Sequence, residues 1–206
     1  MGSTAAAIEQ SRLESRSSHG LEQFCSSLED RAGMTILDLA GANQSTVTFL
    51  ASYGHRLYSD DLLAQMQDHF GSGADFYENQ RDPIQAAKFM KSALTFPQEK
   101  FDGVLVWDRL QFLASPLLET VMARLRTVLR PGSCLLAVFH AEENSETIPT
   151  YTYKIADTRT LTLSPKGRRK PAQAFNNRSL ERLFQDFQSV KFFLTRDHLR
   201  EVIVRR

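Results

Sequence analysis

Apolar positions along the chain change period several times, and the changes mark out the elements. Leu21, Phe24, Cys25 and Leu28 recur at helical spacing, which predicts a helix ending near Ala32 with Gly33 behind it. Met34–Ala40 is apolar on both faces between two glycines, the mark of a buried parallel strand. Val47, Leu50 and Ala51 predict a helix over 45–53, stopped by Gly54. A short strand His55–Ser59 follows, then Asp60-Asp61 and a helix from Leu62 to about Phe70. Between 71 and 100 the pattern predicts a loop at Gly71-Ser72-Gly73 and a brief third strand at Asp75–Asn79. A helix then opens at Asp82-Pro83, with Ile84, Ala87, Met90 and Leu94 as its stripe.

Phe101–Asp108 reads as a buried strand ending in an acid. Leu118, Val121, Leu125 and Val128 mark a helix over 117–129, closed by Arg130-Pro131-Gly132. Cys134–Phe139 is a further strand, ending at His140. Tyr151–Ile155 and Thr160–Leu163 alternate around a polar turn and predict a hairpin. Asn177 opens a helix through Leu180, Leu183, Phe184 and Phe187, and Val190–Leu194 with Val202–Val204 form a closing antiparallel pair. Strands alternating with helices over the first two thirds predict an α/β fold whose parallel sheet is covered on both faces. Residues 1–20 read as an N-terminal tail, and residues 21–206 as one domain with an inserted β-hairpin and basic loop at about 149–175.

Composition adds little to this until charge is followed along the chain. The 206 residues carry a net charge of +1, with ordinary apolar and charged fractions. Residues 1–150 sum to −7 and residues 151–206 to +8. The densest positive segment, Lys166-Gly167-Arg168-Arg169-Lys170, lies between Pro165 and Pro171 and predicts an extended loop. It reads either as an arm for an anionic partner or as a solvated loop. No apolar run is long enough for a bilayer, and no signal-peptide pattern opens the chain. Cys25 and Cys134 fit reduced core thiols, and together these features point to a cytoplasmic setting without a membrane partner.

In open α/β sheets, ligands bind beyond the carboxyl ends of the strands. Those ends supply Asp38 with the turn Ala40-Gly41-Ala42-Asn43-Gln44, then Asp60 and Asp61, Trp107 and Asp108, and His140. A rim this acidic disfavours a phosphate-rich ligand and suits ribose hydroxyls and an ammonium group. The order of Ile36–Gln44, the acid after the second strand, Phe101–Asp108 and Leu129-Arg130-Pro131-Gly132 resembles the class I S-adenosylmethionine-dependent methyltransferases. The likeness spans roughly residues 30–206, including the final helix and two terminal strands.

The resemblance implies a three-layer Rossmann-like fold with a mostly parallel seven-stranded sheet and an antiparallel strand near the C-terminus. It implies S-adenosylmethionine as cofactor, a small-molecule methyl acceptor, and a cofactor site drawn from Asp38, Ala40, Gly41, Ala42, Asp60, Asp61, Trp107 and Asp108. Asp38 would orient the methionine amino group and Asp60 the ribose. Glu78-Asn79 or Ser92-Ala93 would contact adenine. Trp107 fits either a stacking ring or a core residue. The family's Gly-x-Gly-x-Gly turn reads Ala40, Ala42 and Gln44 here, with Gln44 where strand and helix should pack closely. The other reading is therefore a catalytically inactive binding or interaction protein with the same fold. The Asn/Asp-Pro-Pro-Tyr type of motif is absent after the fourth strand, and no metal ligand set is assigned. Asp108 and His140 are the candidates for a proton acceptor. A nicotinamide-dependent oxidoreductase is disfavoured by the missing Gly-x-Gly-x-x-Gly, and a nucleic-acid-modifying enzyme rests only on Lys166, Arg168, Arg169 and Lys170.

Overall fold

A computed structural model describes residues 14–29, 31–141, 145–195 and 198–206. The described fold includes residues that the sequence reading assigns to the tail. Glu14–Ser17 forms strand β1, and Ser18 caps helix α1 (His19–Ser26) by accepting from the Leu21 N–H. The tail read as far as residue 20 is therefore already part of the fold from Glu14. Residues 1–13 lie outside the described residues.

The first α/β unit follows the pattern closely: β2 (Thr35–Asp38), α2 (Gln44–Ser52), β3 (Arg56–Ser59) and α3 (Leu62–Phe70). The predicted third strand is absent. Asp75–Asn79 falls largely in helix α4 (Phe76–Arg81), where Phe76 turns into the core. The buried Gln80 amide there donates to the Phe112 carbonyl and accepts from the Ala114 N–H. Helix α5 (Pro83–Ser92) begins as expected, with Asp82 capping and Pro83 in the first turn.

Strand β4 (Phe101–Trp107) is buried along its whole length and leads through a short 3₁₀ turn (Arg109–Phe112) into α6 (Ser115–Val128). Strands β5 (Leu129–His140), β6 (Ile148–Ile155) and β7 (Thr160–Arg169) follow, then α7 (Asn177–Leu183), β8 (Ser189–Leu194) and β9 (Leu199–Arg205).

Six described strands make the main sheet, in the order β3-β2-β4-β5-β9-β8. The pairs β2–β3, β2–β4 and β4–β5 are parallel, whereas β9 runs antiparallel to both β5 and β8. A mostly parallel sheet with one reversed strand near the C-terminus is the expected architecture, with six strands where seven were expected. The inserted hairpin β6–β7 joins β1 in a second sheet of order β1-β7-β6.

The period of two along each strand divides the core in two. Leu37, Val104, Val106, Leu135 and Ala137 face a cluster built with α3 to α7. Ile36, Leu105, Trp107, Leu136 and Val138 face the other cluster, closed by Leu21 and Phe24 of α1, Leu50 of α2, and Tyr153, Ile155, Leu161 and Leu163 of the hairpin. The small sheet thus covers one face of the main sheet at the carboxyl ends of β2 and β4. No helix among the described residues is long and apolar enough to cross a membrane.

Candidate functional site

Asp38 ends β2 with its side chain fully buried. One oxygen, Oδ1, accepts from the Ala40 N–H (2.9 Å) and from the Trp107 indole N–H (2.8 Å), while Oδ2 has no partner. Burial pushes this carboxyl up to about 6, against the lowering effect of those two donors and of Arg109. The turn behind it lies against β3. Ala40 bridges Asp61, and the Gly41 N–H donates to the Asp60 carbonyl (3.2 Å). Gly41 has φ +85°, which favours glycine, and a Cβ there would sit a tight 3.2 Å from Asp61 Oδ2.

Gln44 does not meet the strand. It is exposed and begins α2, with Asn43 as the cap. Asn43 accepts from the Thr46 N–H and donates its amide to the Tyr153 carbonyl (2.8 Å). The Ser45 hydroxyl donates to the Ile155 carbonyl, and the Ile155 N–H donates to the Thr46 hydroxyl. Helix α2 is stitched to β6 at the end where a ligand of this fold class approaches.

The remaining volume is filled by the chain itself. Trp107 sits at a register shift between β4 and β5 with φ +55°, a conformation that costs a bulky residue of order 1–3 kcal/mol. It is fully buried, and its ring stacks on Tyr153 at 4.8 Å and 10°. Asp108 and Arg109 form an ion pair with side chains 0% and 2% exposed. Arg109 also reaches the Ala40 carbonyl (3.4 Å). Burial pushes the Asp108 carboxyl up, with Arg109 opposing, and the Tyr153 hydroxyl rises well above 10 through burial and the Asp108 charge. Asp38 Oδ2 and Arg109 Nε lack hydrogen-bond partners, while the Tyr153 hydroxyl and the Tyr151 main chain face Asp108.

The sequence-predicted residues Asp38, Ala40, Gly41, Asp60, Asp61, Trp107 and Asp108 therefore meet at the carboxyl ends of β2, β3 and β4. Trp107 is interior and bonded to Asp38, not an exposed stacking ring. Asp60, raised by burial, bonds Gln65, and Asp61 caps α3. Ala42 is exposed. Glu78 and Asn79 lie on α4, where the Asn79 amide donates to the Phe70 carbonyl, and Ser92 ends α5. His140 ends β5 with its ring stacked on Tyr151.

The basic segment is not a loop: Gly167, Arg168 and Arg169 pair with Thr150, Pro149 and Ile148 as the end of β7. Arg169 stacks over Phe76, and the Lys170 carbonyl accepts from the Tyr77 hydroxyl. Arg109, Tyr153 and Asn43 were not singled out by sequence. An arginine directly behind a strand-end acid was the one available signal.

No protein-family model and no curated protein matches the sequence. Among solved structures, the glycopeptide N-methyltransferase MtfA complexed with S-adenosyl-L-homocysteine aligns over 90% of this chain and 87% of its own, with TM-score 0.51 and 12% identity. A 1,6-didemethyltoxoflavin-N1-methyltransferase of Burkholderia thailandensis, bound to its substrate and S-adenosylhomocysteine, aligns over 91% and 76% with TM-score 0.49 and 12% identity. A SAM-dependent methyltransferase of Methanosarcina mazei aligns over 85% and 93% with TM-score 0.48 and 15% identity. The chain has the fold of the class I S-adenosylmethionine-dependent methyltransferases.

Proposed function

We propose that this chain is a methyltransferase-fold protein that acts by binding and not by methyl transfer. The observation that carries this reading is the occupancy of the strand ends by Trp107, Arg109 and Tyr153, each no more than 2% exposed. The donor set suits S-adenosylmethionine, since Asp38 Oδ2 is an unpaired acceptor for an ammonium and Asp60 and Asp61 follow β3. The space does not suit it. The Asp38 carboxylate is fully buried beside the Trp107 indole, whose ring is stacked on Tyr153, and the Asp60 carboxylate is held by Gln65. The cofactor does not fit this arrangement, so no chemical step is derived through it.

A second reading is a S-adenosylmethionine-dependent methyltransferase acting on a small-molecule acceptor, reached by displacement of the hairpin. The unpartnered Asp38 Oδ2 and Arg109 Nε favour it, because each costs about 1–3 kcal/mol while closed and would gain a partner on opening.

One titration separates the two. Trp107 is the single tryptophan, so its emission reports on the site directly. With S-adenosylmethionine or S-adenosylhomocysteine at about 1 mM, the binding reading expects unchanged emission, no calorimetric heat and an unchanged melting temperature. A ligand present at about a hundred times its Kd stabilises by about 2.7 kcal/mol. Saturable binding with a red-shifted Trp107 emission would replace the first reading with the second.

A further inference from the structure

At the start of β3, the opposite end of that strand from Asp60, three rings gather around a small opening. Helix α2 ends at Tyr53, and the Leu50 carbonyl accepts from the Tyr53 N–H (3.3 Å) and from the His55 N–H (3.0 Å). The turn through Gly54 thereby fixes both rings. Phe49 meets Tyr53 at 5.2 Å, and Tyr53 stacks on His55 at 6.4 Å and 15°. Beside this row lies a cavity of about 70 Å³, lined by the three rings, by Cys25, Leu28 and Leu50, and by Glu29 and Thr158. Cys25, Leu28 and Leu50 are buried and make its floor, whereas Tyr53 is 53% exposed and Glu29 is exposed at its rim.

Glu29 is the one charged side chain among the described residues that line this cavity. Burial pushes the Cys25 thiol at the floor up to about 12, and the negative charges of Glu29 and Asp157 add to that rise. Burial lowers His55, against the charge of Asp102, so its ring is neutral at pH 7. Of the basic neighbours, Arg159 is held by Glu22, and Arg31 and Arg56 are exposed and do not line the cavity. Aromatic rings, a carboxylate and the C-terminal end of α2 all favour a cation. The floor selects the kind of cation. A neutral thiol, two leucines and Phe49 offer no strong acceptor, so a primary ammonium would leave its hydrogen bonds to water behind. A fully methylated ammonium has no such bonds to lose. At about 30 Å³ for each water of the liquid, the cavity holds roughly two water-sized groups, which suits the head of a ligand whose remainder lies over Tyr53.

We infer that this cavity takes a quaternary ammonium group, its methyls seated on Cys25, Leu28 and Leu50 and its charge met by Glu29 and the rings of Phe49, Tyr53 and His55. A free quaternary amine and a trimethylated lysine side chain share this chemistry. The inference uses no residue of the strand-end cleft and stands whether or not S-adenosylmethionine binds there.

The test uses choline as probe, followed by saturation-transfer NMR and calorimetry on the full chain. Its counterparts are 3,3-dimethylbutan-1-ol, in which carbon replaces the charged nitrogen, and ethanolamine, which lacks the methyls. Choline is expected to bind saturably below about 10 mM, at least about tenfold more tightly than either counterpart. Tyr53→Ala removes an exposed ring and is expected to weaken choline at least about fivefold, while Tyr53→Phe keeps both the ring and the binding. Glu29→Gln changes only an exposed side chain and is expected to weaken choline several-fold, with the melting transition intact. A short peptide carrying trimethyl-lysine assigns the source: tighter binding than choline points to a protein side chain, weaker binding to a free amine, and both support the inference. Absence of saturable choline binding by the wild type would overturn it. So would equal affinity for the alcohol or for ethanolamine, or choline binding unchanged in both Tyr53→Ala and Glu29→Gln. None of these outcomes alters the S-adenosylmethionine titration read at Trp107, so failure here and failure of the binding reading are told apart.

Discussion

Replacing Asp38 by Asn tests whether the strand-end carboxylate is penalised by its burial. In the fold its carboxyl titrates at about 6, raised from the usual 3.8 mainly by desolvation. A carboxyl raised on folding binds its proton more tightly in the folded chain. Its contribution to stability is therefore fully present below about pH 4 and is lost as the pH rises through 6. The difference between 3.8 and about 6 corresponds to about 3 kcal/mol of stability withheld at neutral pH.

Asparagine has the shape of the protonated acid. It can still accept from the Ala40 N–H and the Trp107 indole, and it does not titrate. The two proteins should be equally stable near pH 4, and Asp38→Asn should lead by about 3 kcal/mol above pH 7, roughly 6–12 °C in melting temperature for a domain of this size. Asp60 and Asp108 are raised as well, but they are present in both proteins and drop out of the comparison. Urea denaturation followed by circular dichroism in steps from pH 4 to 8 gives both curves. Parallel curves across that window would refute the reasoning, because they would mean that Asp38 is hydrated and ordinary.

Other perturbations probe the packing that encloses the site. A Cβ on Gly103 would lie 2.7 Å from Phe24 Cζ and 3.1 Å from Cε2, so Gly103→Ala should cost about 1–3 kcal/mol in a urea titration; an unchanged midpoint would show that α1 shifts freely against β4. Glu201 is 1% exposed and accepts from the Gly20 N–H (2.7 Å) and Arg16 (3.0 Å), so Glu201→Ala should cost about 3–5 kcal/mol; a loss below about 1 kcal/mol would show that β1 and α1 are not anchored through it. Burial pushes the Cys25 thiol up to about 12 and raises Cys134. Both should react with a thiol reagent at pH 8 only as fast as the chain unfolds, and a rapid native phase would contradict their placement.

Much of the fold was legible because it is written in local patterns. The buried strands at Met34–Ala40 and Phe101–Asp108, the Asp82-Pro83 helix start and the terminal antiparallel pair are each set by adjacent residues, and each stands in the structure. What failed has no local signature. Glu14–Ser17 is polar and mostly exposed, and it becomes a strand only because β7 offers it a free edge. Asp75–Asn79 carries Phe76 and Tyr77, which suit a strand edge as well as a helix. The decision lies with Gln80, whose amide is satisfied only by the main chain around Phe112 and Ala114. Pro165 and Gly167 suggested a break, yet β6 and β7 keep their pairing through a register shift at Thr150 and Tyr151.

The candidate site divides along the same line, and the division bears on the lost glycines. That Asp38, Asp60 and Asp108 meet at the carboxyl ends of β2, β3 and β4 follows from where strands end, and a single sequence shows it. What lies between them does not, because Tyr153 comes from a hairpin more than a hundred residues beyond Asp38, and the positive φ of Trp107 has no sequence mark. Read one position at a time, Ala40, Ala42 and Gln44 are three separate departures from a glycine turn. In the structure they share one explanation. The glycines of such a turn serve close approach by a ligand, and here Arg109 contacts the Ala40 carbonyl while Asn43 and Ser45 bond the main chain of β6. A turn that meets its own protein has its one glycine at position 41, between two of the motif positions, where φ is +85° and Asp61 lies close. On the binding reading proposed above, the turn, the buried Asp108–Arg109 pair and the docked hairpin act together, and changing any one of them alone is expected not to open a cofactor cleft.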